Sequence, residues 1–142
     1  SLNKISKKIH LIFPIHPRTK KQLLKIKKTV LNKERITLTK PLGYLDFLGL
    51  VYKSKLVITD SGGIQEETTY LGVPCLTLRP NTERPITVSA GTNTLIPNLE
   101  RLEKSVNDVI CGKYKKGKIP TKWDGKAADR IAKVINDNLS KR

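Results

Sequence analysis

The sequence contains no methionine, one tryptophan and only two cysteines, and just 5% of its residues are aromatic. The cysteines, Cys75 and Cys111, lie far apart, form no Cys-x-x-Cys pair and have no histidines at metal-ligand spacing. This spacing argues against a disulfide framework and a zinc site, and it fits a reducing compartment. We therefore expect no bound metal. Because Cys75 lies in an apolar segment, we expect it to be a small buried core residue.

Long apolar runs are also missing. No segment reaches the about 18 apolar residues that a membrane-spanning helix requires, and the charged first segment, SLNKISKKIHLIF, does not fit a signal peptide. We therefore expect a soluble, cytoplasmic protein without a membrane partner. Since the first residue is serine and the first segment has the pattern of a helix end, we also expect the chain to be part of a longer protein.

Acidic residues are scarce. The sequence has 12 aspartates and glutamates and 28 lysines and arginines, which give it a formal net charge of +16. Such a charge attracts phosphate polyanions, so a nucleic-acid-binding module is one hypothesis. The lysines, however, concentrate in residues 4–8, 20–33 and 113–122, and aromatic residues do not alternate with them as a base-stacking surface requires. We interpret them as solvent-exposed helix faces and loops, and we expect no nucleic-acid partner.

The alternation of short apolar and amphipathic segments predicts an α/β fold. With 142 residues, 37% of them apolar, the chain can form one domain with one core. The predicted strands are residues 10–15, 35–38, 56–59 and 75–78, with 94–96 as a candidate fifth strand, and the predicted helices are 18–31, 44–52, 64–70, 99–111 and 125–139. Residues 80–91 and 112–124 are predicted to be irregular. This order indicates a parallel sheet with right-handed crossovers.

The most informative segment is residues 56–67, LVITDSGGIQEE, in which a buried strand leads through two glycines into a helix. The first amides of a helix lack intrahelical acceptors and lie at the positive end of its dipole. Ser61, Gly62 and Gly63 are therefore candidates to bind a phosphate or pyrophosphate. We expect the glycines to permit a tight backbone turn. A purely structural helix cap would have the same pattern.

Two charged positions extend this candidate site. Glu67 lies about one and a half helical turns further on, where it can accept hydrogen bonds from a neutral group such as a ribose diol; the alternative is a surface glutamate. Segment 78–85, LRPNTERP, follows the next parallel strand and opens on the same sheet edge. There Arg84 is a candidate phosphate ligand with Glu83 holding it, and a plain surface loop is the alternative.

Six stretches carry a resemblance to a known family: PIHPRT (14–19), PLGYLDF (41–47), TDSGGIQEE (59–67), LGVPCLTLR (71–79), NTERP (81–85) and DGKAADRI (124–131). Together they resemble the C-terminal half of UDP-N-acetylglucosamine 2-epimerases, over nearly the whole chain. The intact DSGGIQEE string favours the non-hydrolysing branch over relatives that release free N-acetylmannosamine.

The resemblance implies an architecture. Such enzymes have two Rossmann-like domains in the glycosyltransferase-B arrangement, and residues 1–142 correspond to part of the C-terminal, UDP-binding domain. The N-terminal catalytic domain has no counterpart in this sequence. The family also has a histidine-arginine-glutamate-asparagine motif just before the helix whose tail resembles residues 2–5, and nothing in this sequence matches it. We therefore expect a parallel sheet flanked by helices that lacks its first βα unit, whose strand belongs in the middle of the sheet.

The resemblance also implies roles for the candidate residues around the glycine turn. Ser61, Gly62 and Gly63 would bind the diphosphate of UDP. Glu67 would bind the ribose hydroxyls, and Arg84 would bind a phosphate oxygen.

Three further positions follow from the resemblance. Phe47 would lie against the uracil ring, and the backbone at Leu42 would hydrogen-bond the edge of that ring. His16 would approach a second, regulatory UDP-sugar, although a loop histidine that caps the next helix is an equal alternative. Ile86 stands where relatives commonly have glutamate, which puts in doubt the contacts of that glutamate.

The reaction implied is the interconversion of UDP-N-acetylglucosamine and UDP-N-acetylmannosamine. A base removes the C2 proton, UDP leaves by anti elimination to give 2-acetamidoglucal, and UDP adds back with protonation from the other face. Since carboxylates of the N-terminal domain supply the acid and base, we expect this fragment to bind UDP without turnover and without a cofactor.

We expect the full-length enzyme to be a homodimer that serves polysaccharide biosynthesis. The alternatives are the corresponding domain of a nucleotide-sugar glycosyltransferase or of a hydrolysing epimerase, and a basic nucleic-acid-binding module.

Overall fold

A computed structural model describes residues 1–25 and 31–140 of the chain. Helices and strands alternate through most of the sequence. In chain order they are α1 (Leu2–Ser6), β1 (Leu11–Pro14), α2 (Pro17–Lys25), β2 (Ile36–Thr39), α3 (Tyr44–Lys53), β3 (Val57–Thr59), α4 (Gly62–Leu71), β4 (Cys75–Thr77), α5 (Pro85–Ser89), β5 (Asn93–Leu95), a 3₁₀ turn (Leu99–Arg101), α6 (Leu102–Ile110) and α7 (Ala127–Leu139).

The predicted α/β fold is confirmed, with one additional helix. Residues 80–91, predicted to be irregular, contain the short helix α5. It begins at Pro85, and proline suits a first helical position because the N–H that it lacks would have no partner there. The helix predicted at 18–31 is observed up to Lys25, and its residues 26–30 lie outside the described residues.

All paired strands are parallel, but over the described residues they form two sheets and not one. Strand β1 pairs with β2, with Leu11 opposite Ile36. Strands β3, β4 and β5 form the second sheet in that order. The predicted parallel pairing is therefore confirmed.

Among the described residues, β1 has an open edge on the side away from β2, and β3 has an open edge on the side away from β4; these two are called the inner edges below. The amide of Leu11 donates to the carbonyl of Arg35, just before β2, so the amide of Ile12 points away from β2. Likewise, the amide of Val57 donates towards β4, and the amide of Ile58 points away from it. The resemblance places the strand of its first βα unit in the middle of the sheet, and two open inner edges agree with that expectation.

The core lies where the three-stranded sheet meets α1 and α6. Its buried side chains are Ile5, Leu76, Ile96, Leu102 and Val106. Strand β4 is wholly buried because it lies between β3 and β5. Cys75 on this strand is buried, as predicted, and burial raises the pKa of its thiol.

Helix α7 is the least buried of the longer helices. Its apolar side chains are more than half exposed: Ile131, Val134, Ile135 and Leu139. The DGKAADRI motif anchors its start, since Arg130 donates to both oxygens of Asp124 at 3.0 Å. These bonds lower the pKa of Asp124 to about 2. Within the described residues, no helix has the length and apolarity needed to cross a membrane.

Replacing Leu76 by alanine should lower the free energy of unfolding by about 2–5 kcal/mol, because it leaves a cavity in the core. Leu139→Ala is the matched control, since Leu139 is 66% exposed; we expect it to cost less than about 0.5 kcal/mol. Chemical denaturation followed by circular dichroism measures both. Equal losses in the two variants would contradict this assignment of the core.

Candidate functional site

The glycine turn predicted from the sequence lies at the carboxyl end of β3, where α4 begins. Ser61 is the N-cap residue, with φ −83° and ψ 136°, and its own amide donates to Thr59 Oγ1 at 3.0 Å. Ser61 and Gly63 are exposed and Gly62 is half-buried. Among the described residues, the N-cap side chain makes no capping hydrogen bond to the first amides of α4. Residues 61–63, called the Ser61 turn below, therefore offer amides and a hydroxyl to an anion.

The glycines of the Ser61 turn are not required by the backbone, which corrects the prediction of a tight turn. Neither Gly62 nor Gly63 has a positive φ, because both already belong to the first turn of α4. A Cβ added at Gly63 meets no described atom within 4 Å. At Gly62 it meets the Glu83 carboxylate at 3.8 Å, an ordinary contact. Since the fold has room for side chains here, their lack leaves space for a group from outside the chain.

The site has two arms. The Ser61 turn is the first, and the second is the segment after β4, residues 79–84, called the Arg84 loop below. Arg79 forms a two-bond ion pair with Glu83, with Nη1–Oε2 at 3.1 Å and Nη2–Oε1 at 2.8 Å. The pair raises the pKa of Arg79 and holds the pKa of Glu83 below its ordinary value. We expected Glu83 to hold Arg84. It holds Arg79 instead, because the Arg84 side chain is directed towards α4.

On α4, Arg84 meets Glu66, with Nε 2.8 Å from Oε2. The Nε–H is not aimed at that oxygen, so this buried nitrogen has no hydrogen-bond partner among the described residues. A half-exposed ion pair contributes only about 0–1 kcal/mol, so Glu66 holds Arg84 weakly against a competing anion. Sequence reasoning missed Glu66. Its spacing was a usable signal, because Glu66 follows Gly62 by four residues and lies on the same helix face.

Glu67 lies in a groove between α3 and α4. The groove has a volume of about 450 Å³ and is lined by Tyr44, Leu48, Glu66, Glu67, Tyr70, Leu71 and Trp123. Its walls are mainly apolar and aromatic, with two carboxylates as hydrogen-bond acceptors. The structure therefore brings Glu67 next to aromatic side chains that sequence reasoning did not single out, including Trp123 from the loop before α7.

The three remaining predicted residues lie on or near α3 and after β1. Phe47 is half-buried on α3 beside Leu48, and Leu42 is exposed just before the Gly43 N-cap of that helix. His16 is exposed after β1, and its Nδ1 accepts the Arg18 amide at 3.2 Å. That bond is the helix-capping contact given as the alternative for His16.

A buried polar side chain, also missed from the sequence, connects the two arms. Gln65 is fully buried, and its Nε2 donates to the Ser61 carbonyl at 3.2 Å. Its Oε1 accepts from Thr82 of the Arg84 loop at 2.6 Å and from Asn93 of β5 at 2.9 Å. A glutamine four residues after a helix cap can reach back to that cap, which was the available signal. The structure therefore joins the Ser61 turn and the Arg84 loop from behind.

This chain is similar to proteins that are described as 2-epimerases of UDP-sugars. The sequence profile of the UDP-N-acetylglucosamine 2-epimerase family matches residues 1–136. The UDP-N-acetylglucosamine 2-epimerase of Methanocaldococcus jannaschii is 44% identical over 128 residues, which cover 88% of this chain and 34% of that protein. The UDP-2,3-diacetamido-2,3-dideoxy-D-glucuronate 2-epimerase of Pseudomonas aeruginosa is 31% identical over 125 residues, covering 88% and 34%.

Solved structures give the same result. The Methanocaldococcus jannaschii enzyme in complex with UDP-GlcNAc and UDP superposes with a TM-score of 0.77 at 41% identity, covering 95% of this chain and 37% of that one. The Neisseria meningitidis enzyme bound to UDP-GlcNAc superposes with a TM-score of 0.66 at 31% identity, covering 98% and 39%. The chain spans about a third of the length of the curated relatives it matches.

Replacing Ser61 by alanine should change the free energy of unfolding by less than about 0.5 kcal/mol, because its hydroxyl has no cap bond to lose. Asn98→Ala is the matched control, since the Asn98 side chain accepts the Glu100 amide at 3.0 Å and such a cap contributes about 1 kcal/mol. Thermal denaturation compares them. An equal loss in Ser61→Ala would mean that the hydroxyl is committed to the helix and not to a ligand.

Proposed function

This chain belongs to the UDP-N-acetylglucosamine 2-epimerase family, and we propose that it is the UDP-binding part of an enzyme that interconverts UDP-N-acetylglucosamine and UDP-N-acetylmannosamine. The observation that carries the proposal is the start of α4, where the described residues provide no side-chain cap bond. The Arg84 loop adjoins it, since a Cβ at Gly62 would lie 3.8 Å from the Glu83 carboxylate. Residues 1–142 form part of the C-terminal domain of that enzyme. The relatives named above share UDP and differ in the sugar, so UDP is the better supported half of the ligand.

In this proposal the amides of Gly62 and Gly63 and the hydroxyl of Ser61 bind the diphosphate. Arg84 exchanges its weak pairing with Glu66 for a phosphate oxygen, because a charge-assisted hydrogen bond would satisfy the Nε–H, which has no hydrogen-bond partner among the described residues. The Glu83 carboxylate lies near Gly62 and would repel a diphosphate if it were unpaired. Its two bonds to Arg79 neutralise that charge.

The nucleoside lies on the α3 side of the site. Glu67 accepts hydrogen bonds from the ribose hydroxyls, and an ionised carboxylate, which only accepts, suits a diol that donates. Phe47 lies against the uracil ring, and the backbone at Leu42 binds the edge of the ring. His16 is proposed to approach a second, regulatory UDP-sugar, which requires it to exchange its bond to the Arg18 amide for the ligand.

The chemistry is an anti elimination of UDP followed by its re-addition to 2-acetamidoglucal. The acid and base belong to the N-terminal domain. The UDP-binding domain contributes by holding UDP after the bond between UDP and the sugar is broken. A held leaving group re-adds as if in a unimolecular step, which favours epimerisation over release. We propose that the enzyme is the non-hydrolysing kind, works in the cytoplasm as a homodimer and serves polysaccharide biosynthesis. The fragment by itself binds UDP without turnover and without a cofactor.

The test uses Gly63→Ala, which should separate binding from stability. The added methyl group has room in the fold, and alanine is favoured over glycine within helices by up to about 1 kcal/mol, so the melting temperature should not fall. The methyl group would occupy space that the diphosphate needs. UDP affinity, measured by isothermal titration calorimetry, should therefore fall about tenfold, or about 1.4 kcal/mol.

Gly49→Ala on α3 is the matched control, because a Cβ at Gly49 also meets no described atom within 4 Å. This variant should bind UDP as the wild type does. Unchanged UDP affinity in folded Gly63→Ala, or a wild-type chain that does not bind UDP, would refute the proposed site.

A further inference from the structure

We infer that Gln65 is a positioning residue that fixes the orientation of the Gly62 amide and the position of the Arg84 loop relative to the Ser61 turn. The inference rests on the proposed UDP-binding function. It assigns the spacing of the two phosphate-binding arms to one buried, uncharged side chain.

The first step is the bond to the Ser61 turn. The Gln65 Nε2 donates to the carbonyl oxygen of Ser61 at 3.2 Å. That carbonyl and the amide of Gly62 belong to the same planar peptide unit, so holding one fixes the direction of the other. The proposed phosphate-binding amide of Gly62 is thus oriented from the side opposite the ligand.

Gln65 is also connected to the Arg84 loop by hydrogen bonds. The amide of Arg84 donates to Thr82 Oγ1 at 3.0 Å, and its carbonyl accepts from Thr87 Oγ1 at 2.7 Å. Thr82 donates to Gln65 directly, and Asn93 bridges Gln65 and Thr87 through its Nδ2, at 2.9 Å and 3.1 Å. Both backbone polar groups of Arg84 are therefore connected to the Gln65 side chain.

The hydrogen bonds among Thr82, Gln65, Asn93 and Thr87 form one network. The backbone N–H and C=O of Arg84 determine which atom donates and which accepts in each of its bonds. Because the Thr82 hydroxyl accepts from the Arg84 amide, its own hydrogen is directed to Gln65 Oε1. Because the Thr87 hydrogen is directed to the Arg84 carbonyl, its oxygen accepts from Asn93. Gln65 must therefore present its oxygen to these partners and its NH₂ group to Ser61. None of these side chains titrates, so the wild-type network is insensitive to pH.

The decisive variant is Gln65→Glu, which has nearly the same shape but carries a titratable group. One carboxyl oxygen can still accept from Thr82 and Asn93. The other faces the Ser61 carbonyl and must carry a proton to hydrogen-bond with it. Burial raises the pKa of such a carboxyl group, so the proton is retained in mildly acidic solution and lost as the pH rises.

The readout is UDP affinity of the 142-residue chain, expressed as the ratio of variant to wild type at each pH, so that the titration of UDP itself cancels. For Gln65→Glu this ratio should be near one at about pH 5 and fall about tenfold by about pH 8, because the carboxylate then repels the Ser61 carbonyl. Gln65→Leu should show about the same tenfold loss at every pH, since it cannot donate at all.

Val106→Ala is the control for a merely structural effect, because Val106 is fully buried in the core and is not one of the network residues. It should lower the melting temperature and leave UDP affinity unchanged. Amide hydrogen exchange gives a readout without ligand. In Gln65→Leu, exchange should accelerate together at the amides of Ser61 and Arg84, which are hydrogen-bonded to Thr59 Oγ1 and Thr82 Oγ1. In Val106→Ala it should not accelerate at these two amides.

The inference is overturned if the Gln65→Glu ratio does not depend on pH, or if Gln65→Leu loses stability as Val106→Ala does while keeping UDP affinity and exchange in both arms. A wild-type chain that fails to bind UDP refutes the proposed function instead. In that case coupled exchange of the two arms in Gln65→Leu still supports the positioning role, and independent exchange refutes it.

Discussion

The site depends on the backbone amides at the start of α4, which the described part of the chain leaves without a side-chain cap. Amides at a helix start require acceptors, and the aligned peptide dipoles give them a partial positive charge. The neighbouring features suit an acceptor that comes from outside. Gly62 and Gly63 lack side chains that the fold would accommodate, and the Ser61 hydroxyl makes no cap bond.

Rigid and exchangeable contacts are separated around these amides. The contacts behind them, centred on Gln65, are neutral, buried and connected to the backbone of both arms. The contacts at the surface, Arg79 with Glu83 and Arg84 with Glu66, are ion pairs near solvent, and such pairs contribute little stability. A charged ligand can therefore rearrange the arginines without disturbing the positions of the amides. This division explains how a preformed site can still exchange partners.

Local patterns in the sequence predicted much of this arrangement. The alternation of strands and helices and the passage from a strand through Ser61, Gly62 and Gly63 into a helix are short-range features, and the structure has both. The division into two sheets follows the expectation from the resemblance, which places the absent first strand in the middle of the sheet. The partner of Glu83 was predicted wrongly because Arg79 and Arg84 both lie within its reach, and local sequence does not show that the Arg84 side chain is directed towards Glu66. Gln65 was missed because a glutamine between helical polar residues is typical of an exposed face.

The most direct test of the central claim is a titration of the ¹⁵N-labelled chain with UDP, followed by nuclear magnetic resonance. The account predicts that the amide signals of Gly62 and Gly63 shift most, saturate with UDP and move together with the Arg84 side chain. If UDP binds but the largest shifts fall in the lysine-rich residues 113–122 while the Ser61 turn is unaffected, the account is contradicted.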